Sequence, residues 1–200
     1  MADYAANTSD ESLLERAKDG DKSAFDIFYN RHKRRILNYV YRMIGRREAA
    51  EEITQDVFMK AYMNLTRYIA QGKALNWIYT IAGNLCKNFF RDNRYKKEVS
   101  INRELLRLEG LSLEDMIEGR EKMPSDSAMN REMEDLIQEH VNRLPIKYKA
   151  VLVLCDIQGC SYEDAAKILK CRVGSVGSRL SRARLFLAES LGKYFKNKKR

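Results

Sequence analysis

The stretch VGSVGSRLSRARLFL, residues 173 to 187, sets Arg179, Arg182 and Arg184 among serines and regularly spaced apolar residues. Val176, Leu180, Ala183 and Leu187 recur at i, i+4, i+7 and i+11, the pattern of a helix that buries one stripe. With about 100° of turn per residue, Ser178, Ser181 and Arg182 point away from that stripe, and Arg179 and Arg184 flank it. An arginine centred on an exposed helix face can fork onto a guanine edge in the major groove, and flanking arginines suit phosphates. Composition alone is equally compatible with a solvated basic face. The residues before it favour DNA: Ser161 can cap a helix with Asp164 three positions on, and Gly174 breaks the chain before Ser175 caps the next one. That is helix-turn-helix spacing.

Two more segments carry chemistry. LNWIYTIAGNLCKNFFRDNRYKK mixes Trp77, Tyr79, Phe89 and Phe90 with Lys87, Arg91, Arg94, Lys96 and Lys97. Aromatic rings can stack on unpaired bases while the cations hold phosphates, although rings at helical spacing also build cores, and Trp77 and Phe89 are expected to be mainly buried. In REAAEEITQDVFMKAYMNL the core stripe is Ala50, Ile53, Val57, Ala61 and Leu65, which leaves Glu52, Gln55, Asp56, Met59 and Met63 on the far face. Acids beside adaptable methionines suit a protein partner, and a few exposed apolar side chains on a solvated face are the plainer alternative.

Enzymatic chemistry has no foothold in the sequence. There is no phosphate-binding glycine loop and no nucleophile with a matching base, and His32 and His140 read as ordinary surface residues. Cys86, Cys155, Cys160 and Cys171 lack paired C-x-x-C spacing, so they read as small apolar residues of a reduced, cytoplasmic chain, and neither a metal nor a cofactor is expected.

Glycines in DGD at 19 to 21, IGRR at 44 to 47 and AQGK at 70 to 73 punctuate four expected helices over roughly 11–18, 22–43, 47–67 and 74–93. Four more are expected near 131–143, 146–156, 162–169 and 175–190, with a short one at 102–109 between the two groups. The fold class is therefore all-α: an N-terminal module at 11–97, a flexible acidic linker at 98–130, a C-terminal module at 131–192 and a basic tail at 193–200. Charge follows the same division, at −4 for residues 1–30, +10 for 31–97, −6 for 98–135 and +9 for 136–200. Two basic blocks around an acidic connector suit two nucleic-acid-facing modules. The longest apolar run, Ala150 to Cys155, is too short to span a bilayer, so no membrane insertion is expected.

LPIKYKAVLVLCDIQGCSYEDAAKILKCRVGSVGSRLSRAR resembles region 4 of the extracytoplasmic-function (ECF) sigma factors of bacterial RNA polymerase, with Leu144, Pro145, Val151, Val173, Gly174, Val176, Ser178, Arg179, Arg182, Ala183 and Arg184 on its pattern. AEEITQDVF resembles region 2.2, and Trp77, Ile78, Tyr79, Ile81, Ala82 and Asn84 match the W-[LI]-Y-x-IA-x-N signature of regions 2.3 and 2.4. The resemblance implies a sigma subunit whose partners are core RNA polymerase, promoter DNA and an anti-sigma factor, and which is a monomer when free. It assigns Ser175, Ser178, Arg179, Ser181, Arg182 and Arg184 to the -35 element. To the -10 element it assigns Tyr68, Trp77, Tyr79, Asn84, Lys87, Asn88, Arg91 and Arg94, with an extruded base held between the loop Tyr68 to Leu75 and Asn84. Glu52, Gln55, Asp56, Met59 and Met63 would dock on the polymerase clamp helices. The chain departs from the family at Gly177, where a basic or polar side chain is usual, and at Ala74 and Tyr68, where phenylalanine is usual. A stand-alone helix-turn-helix regulator and a basic peripheral membrane protein resting on the tail GKYFKNKKR are the competing readings.

Overall fold

Eight α-helices account for most of the described residues, 8–69, 73–92 and 127–198, of the chain, whose structure is a computed structural model. They are α1 (Asp10–Lys18), α2 (Lys22–Ile44), α3 (Arg47–Met63), α4 (Ala74–Asp92), α5 (Ser127–Asn142), α6 (Ile146–Leu152), α7 (Tyr162–Leu169) and α8 (Val173–Lys198). A 3-10 turn, Leu65–Arg67, follows α3, and a π-helical turn, Val153–Ile157, extends α6. Local chemistry sets the ends. Ser9 caps α1 by accepting from the Ser12 amide, Asp21 caps α2 by accepting from Ala24, and Gly45, at φ 77°, closes α2 in the left-handed region.

Helices α1 to α4 enclose Leu13, Leu14, Phe28, Ile36, Val57 and Ile78, and α5 to α8 enclose Val151, Leu154, Val176, Leu180 and Phe186. These residues belong to one continuous apolar core, because α2 and α4 also carry the C-terminal helices. The two groups are packed against each other, and residues 93–126 connect them.

Several boundaries differ from the sequence expectation. Helix α5 begins at Ser127, inside the span expected to be linker, and the expected short helix at 102–109 lies outside the described residues. The turn between α7 and α8 is made at Lys170, at φ 51°, and α8 begins at Val173, so Gly174 and Ser175 sit in its first turn and Ser175 is not its cap. The amides of Ser175 and Val176 donate to the Arg172 carbonyl instead. At its other end α8 runs on to Lys198, where Tyr194 lies edge-on to His140 of α5. Neither histidine is a surface residue. His32 is buried against Phe28, and its Nε2 pairs with the Asp10 carboxylate at 2.7 Å; His140 is buried and bonded to Ser190. Burial, then the nearby Arg143, lowers the His140 pKa.

Candidate nucleic-acid and polymerase interfaces

The C-terminal interface is the α7–turn–α8 unit. Ser161 caps α7 by accepting from the Asp164 amide at 3.1 Å. Helix α8 buries Val176, Leu180 and Ala183 against α6 and α7, which fixes its rotation. Ser178 and Arg182 are consequently exposed, and Ser175, Arg179 and Ser181 half-buried. Arg184 is placed differently from expectation: it forks onto Asp156, donating from Nε at 2.9 Å and from Nη2 at 2.6 Å. It fastens α8 to the π-helical turn instead of standing open to a phosphate. Bonding to Asp156 holds its guanidinium above its ordinary pKa.

Gly177 faces the ring of Tyr162, and a Cβ there would lie 3.7 Å from Tyr162 Cε2, an ordinary contact. Gly177→Ala is therefore expected to stabilise the chain by about 1 kcal/mol, the helical difference between the two residues, read as a higher denaturation midpoint with an unchanged m-value. An unchanged or lower midpoint would mean that the backbone needs glycine there.

On α4 the exposed polar side chains Asn84, Lys87, Asn88 and Arg91 fall at i, i+3, i+4 and i+7, a single stripe along one face. Arg94 lies outside the described residues. Trp77 and Phe89 are half-buried. Tyr68 and Tyr79, expected at the DNA surface, are buried. Tyr68 packs on Trp77 with ring centroids 5.0 Å apart. Tyr79 is 0% exposed, lies against Tyr39, accepts from Arg35 Nε at 2.9 Å and donates to Gln158 Oε1 at 2.9 Å. Burial pushes its hydroxyl up to about 12, against the lowering effect of Arg35. Helical period could not separate these rings from the exposed stripe, because α4 is covered by α2 and α3 on one side and by α7 on another.

The third face is on α3. Glu52, Gln55 and Asp56 are exposed beside Met59 and Met63, which are 56% and 73% exposed. Tyr62 and Ile69 are exposed as well, large apolar residues that periodicity did not single out. Large methionines that the fold leaves uncovered beside three polar side chains give a surface suited to a protein partner.

A helical module with an acidic, methionine-bearing face and a helix-turn-helix module with an arginine–serine face define a bipartite DNA-reading protein that also docks on another protein. The Sigma-70 region 2 family matches residues 28–95, and the Sigma-70 region 4 family matches residues 134–187. The ECF RNA polymerase sigma factor SigW of Bacillus subtilis is 32% identical over 178 residues, which cover 89% of this chain and 94% of that one. The RNA polymerase sigma-H factor of Pseudomonas aeruginosa is 30% identical over 185 residues, covering 91% and 93%. The solved structure of CnrH in complex with the cytosolic domain of CnrY has the same fold, with a TM-score of 0.66 at 22% identity over 93% of this chain and 99% of that one. The sigma factor RpoE of Bartonella quintana, in complex with the anti-sigma factor NepR, gives a TM-score of 0.59 at 24% identity over 84% and 96%. This chain belongs to the sigma-70 family, among the ECF sigma factors, and serves promoter-specific initiation by RNA polymerase.

Proposed function

We propose that the three faces divide the work of initiation. Ser178, Ser181 and Arg182 of α8 read the -35 element in the major groove, with Arg179 on a flanking phosphate. The α4 stripe of Asn84, Lys87, Asn88 and Arg91 follows the opened strand of the -10 element, to which the family resemblance also assigns Arg94. Glu52, Gln55, Asp56, Met59 and Met63 dock on the clamp helices of core polymerase. Tyr79 acts beneath the DNA surface by holding α4 in place, and Tyr68 does the same for Trp77. The protein acts in the cytoplasm without catalysing a reaction of its own, and an anti-sigma factor is a further partner, by analogy with the complex of RpoE with the anti-sigma factor NepR. Among the described residues no helix is long and apolar enough to cross a membrane.

The observation that carries the -35 assignment is the rotation of α8: with Val176, Leu180 and Ala183 buried, Arg182 is exposed at the centre of the remaining face. Arg182→Ala is expected to cost about 1–3 kcal/mol and to relax preference at one promoter position, whereas Arg179→Ala should weaken all promoters alike. Run-off transcription with core polymerase across a promoter library reads both. Uniform losses from both substitutions would remove Arg182 from base reading.

A further inference from the structure

We infer that Asp156 is a positioning residue for promoter reading: through its fork on Arg184 it sets how α8 stands on the rest of the helix-turn-helix, without itself meeting DNA. Given the assignment of α8 to the -35 element, on which this rests, the stance of α8 decides how far Ser178 and Arg182 reach toward the bases. Val176, Leu180 and Ala183 are buried and settle which face of α8 turns outward. Apolar burial is non-directional, so it holds tilt and slide less firmly than a directional bond does. Arg184 supplies that bond. It follows Arg182 by two residues, about 200° of helix turn, and so points back toward the module when Arg182 points out of it. Its Nε donates to Asp156 Oδ2 at 2.9 Å and its Nη2 to Oδ1 at 2.6 Å. Two parallel bonds between a planar guanidinium and a planar carboxylate fix orientation as well as distance, which a lysine ammonium cannot do.

An irregular piece of backbone brings Asp156 to that place. Helix α6 gives way to the π-helical turn Val153–Ile157, and the Gln158 amide donates to the Val153 carbonyl five residues back, at 2.9 Å. The chain leaves through Gly159 at φ 70°, with the Cys160 amide on the Leu154 carbonyl at 2.9 Å. A π turn takes in one residue more than an α turn, and such turns are frequent at functional sites. Asp156 lies inside this one. The fork is not chiefly a stabilising device, because its side chains are 47% and 31% exposed and ion pairs so open to water add modestly to folding. Nor does Arg184 bring free charge to DNA, since Asp156 neutralises it. A directional bond of modest folding value, made by the helix assigned to base reading, has its consequence in recognition.

The test measures binding of a promoter library by core polymerase carrying each variant, at several salt concentrations, with circular dichroism to confirm that each variant is folded. Asp156→Asn and Arg184→Ala should each lose about fivefold in affinity, the lower end of what one bidentate arginine contact to a base is worth. The double variant should lose no more than either single one, because both substitutions break the same fork. The losses should be confined to promoters with a matched -35 element and should blur preference there, with -10 preference and affinity for core polymerase as in wild type. Arg184→Lys, which keeps the charge and cannot fork, should lose as much as Arg184→Ala. The salt slope of Arg184→Ala should equal that of wild type, because no phosphate contact has been removed. A slope lower by about one, with Arg184→Lys close to wild type, would make Arg184 a phosphate contact and overturn the inference. Asp156→Asn that binds as tightly and selectively as wild type, losses that add in the double variant, or losses spread evenly over all promoters would overturn it too. Failure of the -35 assignment looks different: Arg182→Ala would then have no positional effect in the same library, whereas if positioning alone fails Arg182→Ala keeps that effect and Asp156→Asn has none.

Discussion

Reversing two charges on α3, as Glu52→Lys with Asp56→Lys, is expected to cost several kcal/mol of binding to core polymerase. Both carboxylates are exposed on the face that carries Met59 and Met63, off the buried stripe of Ala50, Ile53, Val57 and Ala61. If, as proposed, they meet basic residues of the clamp helices, they attract; as lysines they place like charges in an interface, and such juxtapositions are disfavoured by several kcal/mol. Folding is expected to survive, because neither side chain touches the core. The double variant should keep its helical circular dichroism and its weak affinity for duplex DNA, and should lose to wild type in competition for core polymerase. Equal competition would move the docking face elsewhere on the molecule.

The pH dependence of stability is expected to turn on Lys149. Its side chain is 3% exposed, with Nζ donating to the Met43 carbonyl of α2 at 3.2 Å and to the Asn142 carbonyl at 3.4 Å, and lying over the Phe90 ring of α4. Cys86 on α4 is the titratable neighbour that acts on Lys149. Burial pulls the Lys149 pKa from 10.5 down to about 8, with Cys86 acting the other way. The folded chain thus loses this proton before the unfolded chain does, so stability from this group rises as pH passes above about 8 and is complete above 10.5. At about 1.4 kcal/mol per pH unit the full effect is on the order of 3 kcal/mol. Cys86, pushed up to about 12 by burial, opposes it once pH exceeds 9, where the unfolded thiol ionises. Wild type should therefore gain about 1 kcal/mol between pH 7 and 9 before the gain reverses. Lys149→Met should remove the rising limb while leaving the alkaline loss. A variant that gains stability over the same interval as steeply as wild type would show that another group titrates there.

Glycine and cap positions, helical period and charge blocks were enough to read an all-α chain in two modules, and Gly45 and Ser161 end and begin helices where local chemistry requires. The α3 face was legible because a single stripe is buried there, so its complement had to be exposed. The same reasoning gave the rotation of α8 from Val176, Leu180 and Ala183. Period fails where a helix is covered from more than one side, which is why Tyr79 could be read as a base-stacking ring when it is a buried hydrogen-bonding pivot. It also fails where a partner is distant in sequence. Arg184 looked open until Asp156 was placed beside it, and His32 and His140 looked superficial until Asp10 and Ser190 gave their polar atoms buried partners. Sequence fixes each helix's own pattern, since capping, backbone freedom and amphipathicity act within a few residues. Which surfaces of α2 and α4 meet α5 to α8, and hence that Gln158 and Asp164 face the other module, depends on side chains tens of residues apart, which only the tertiary structure brings into contact.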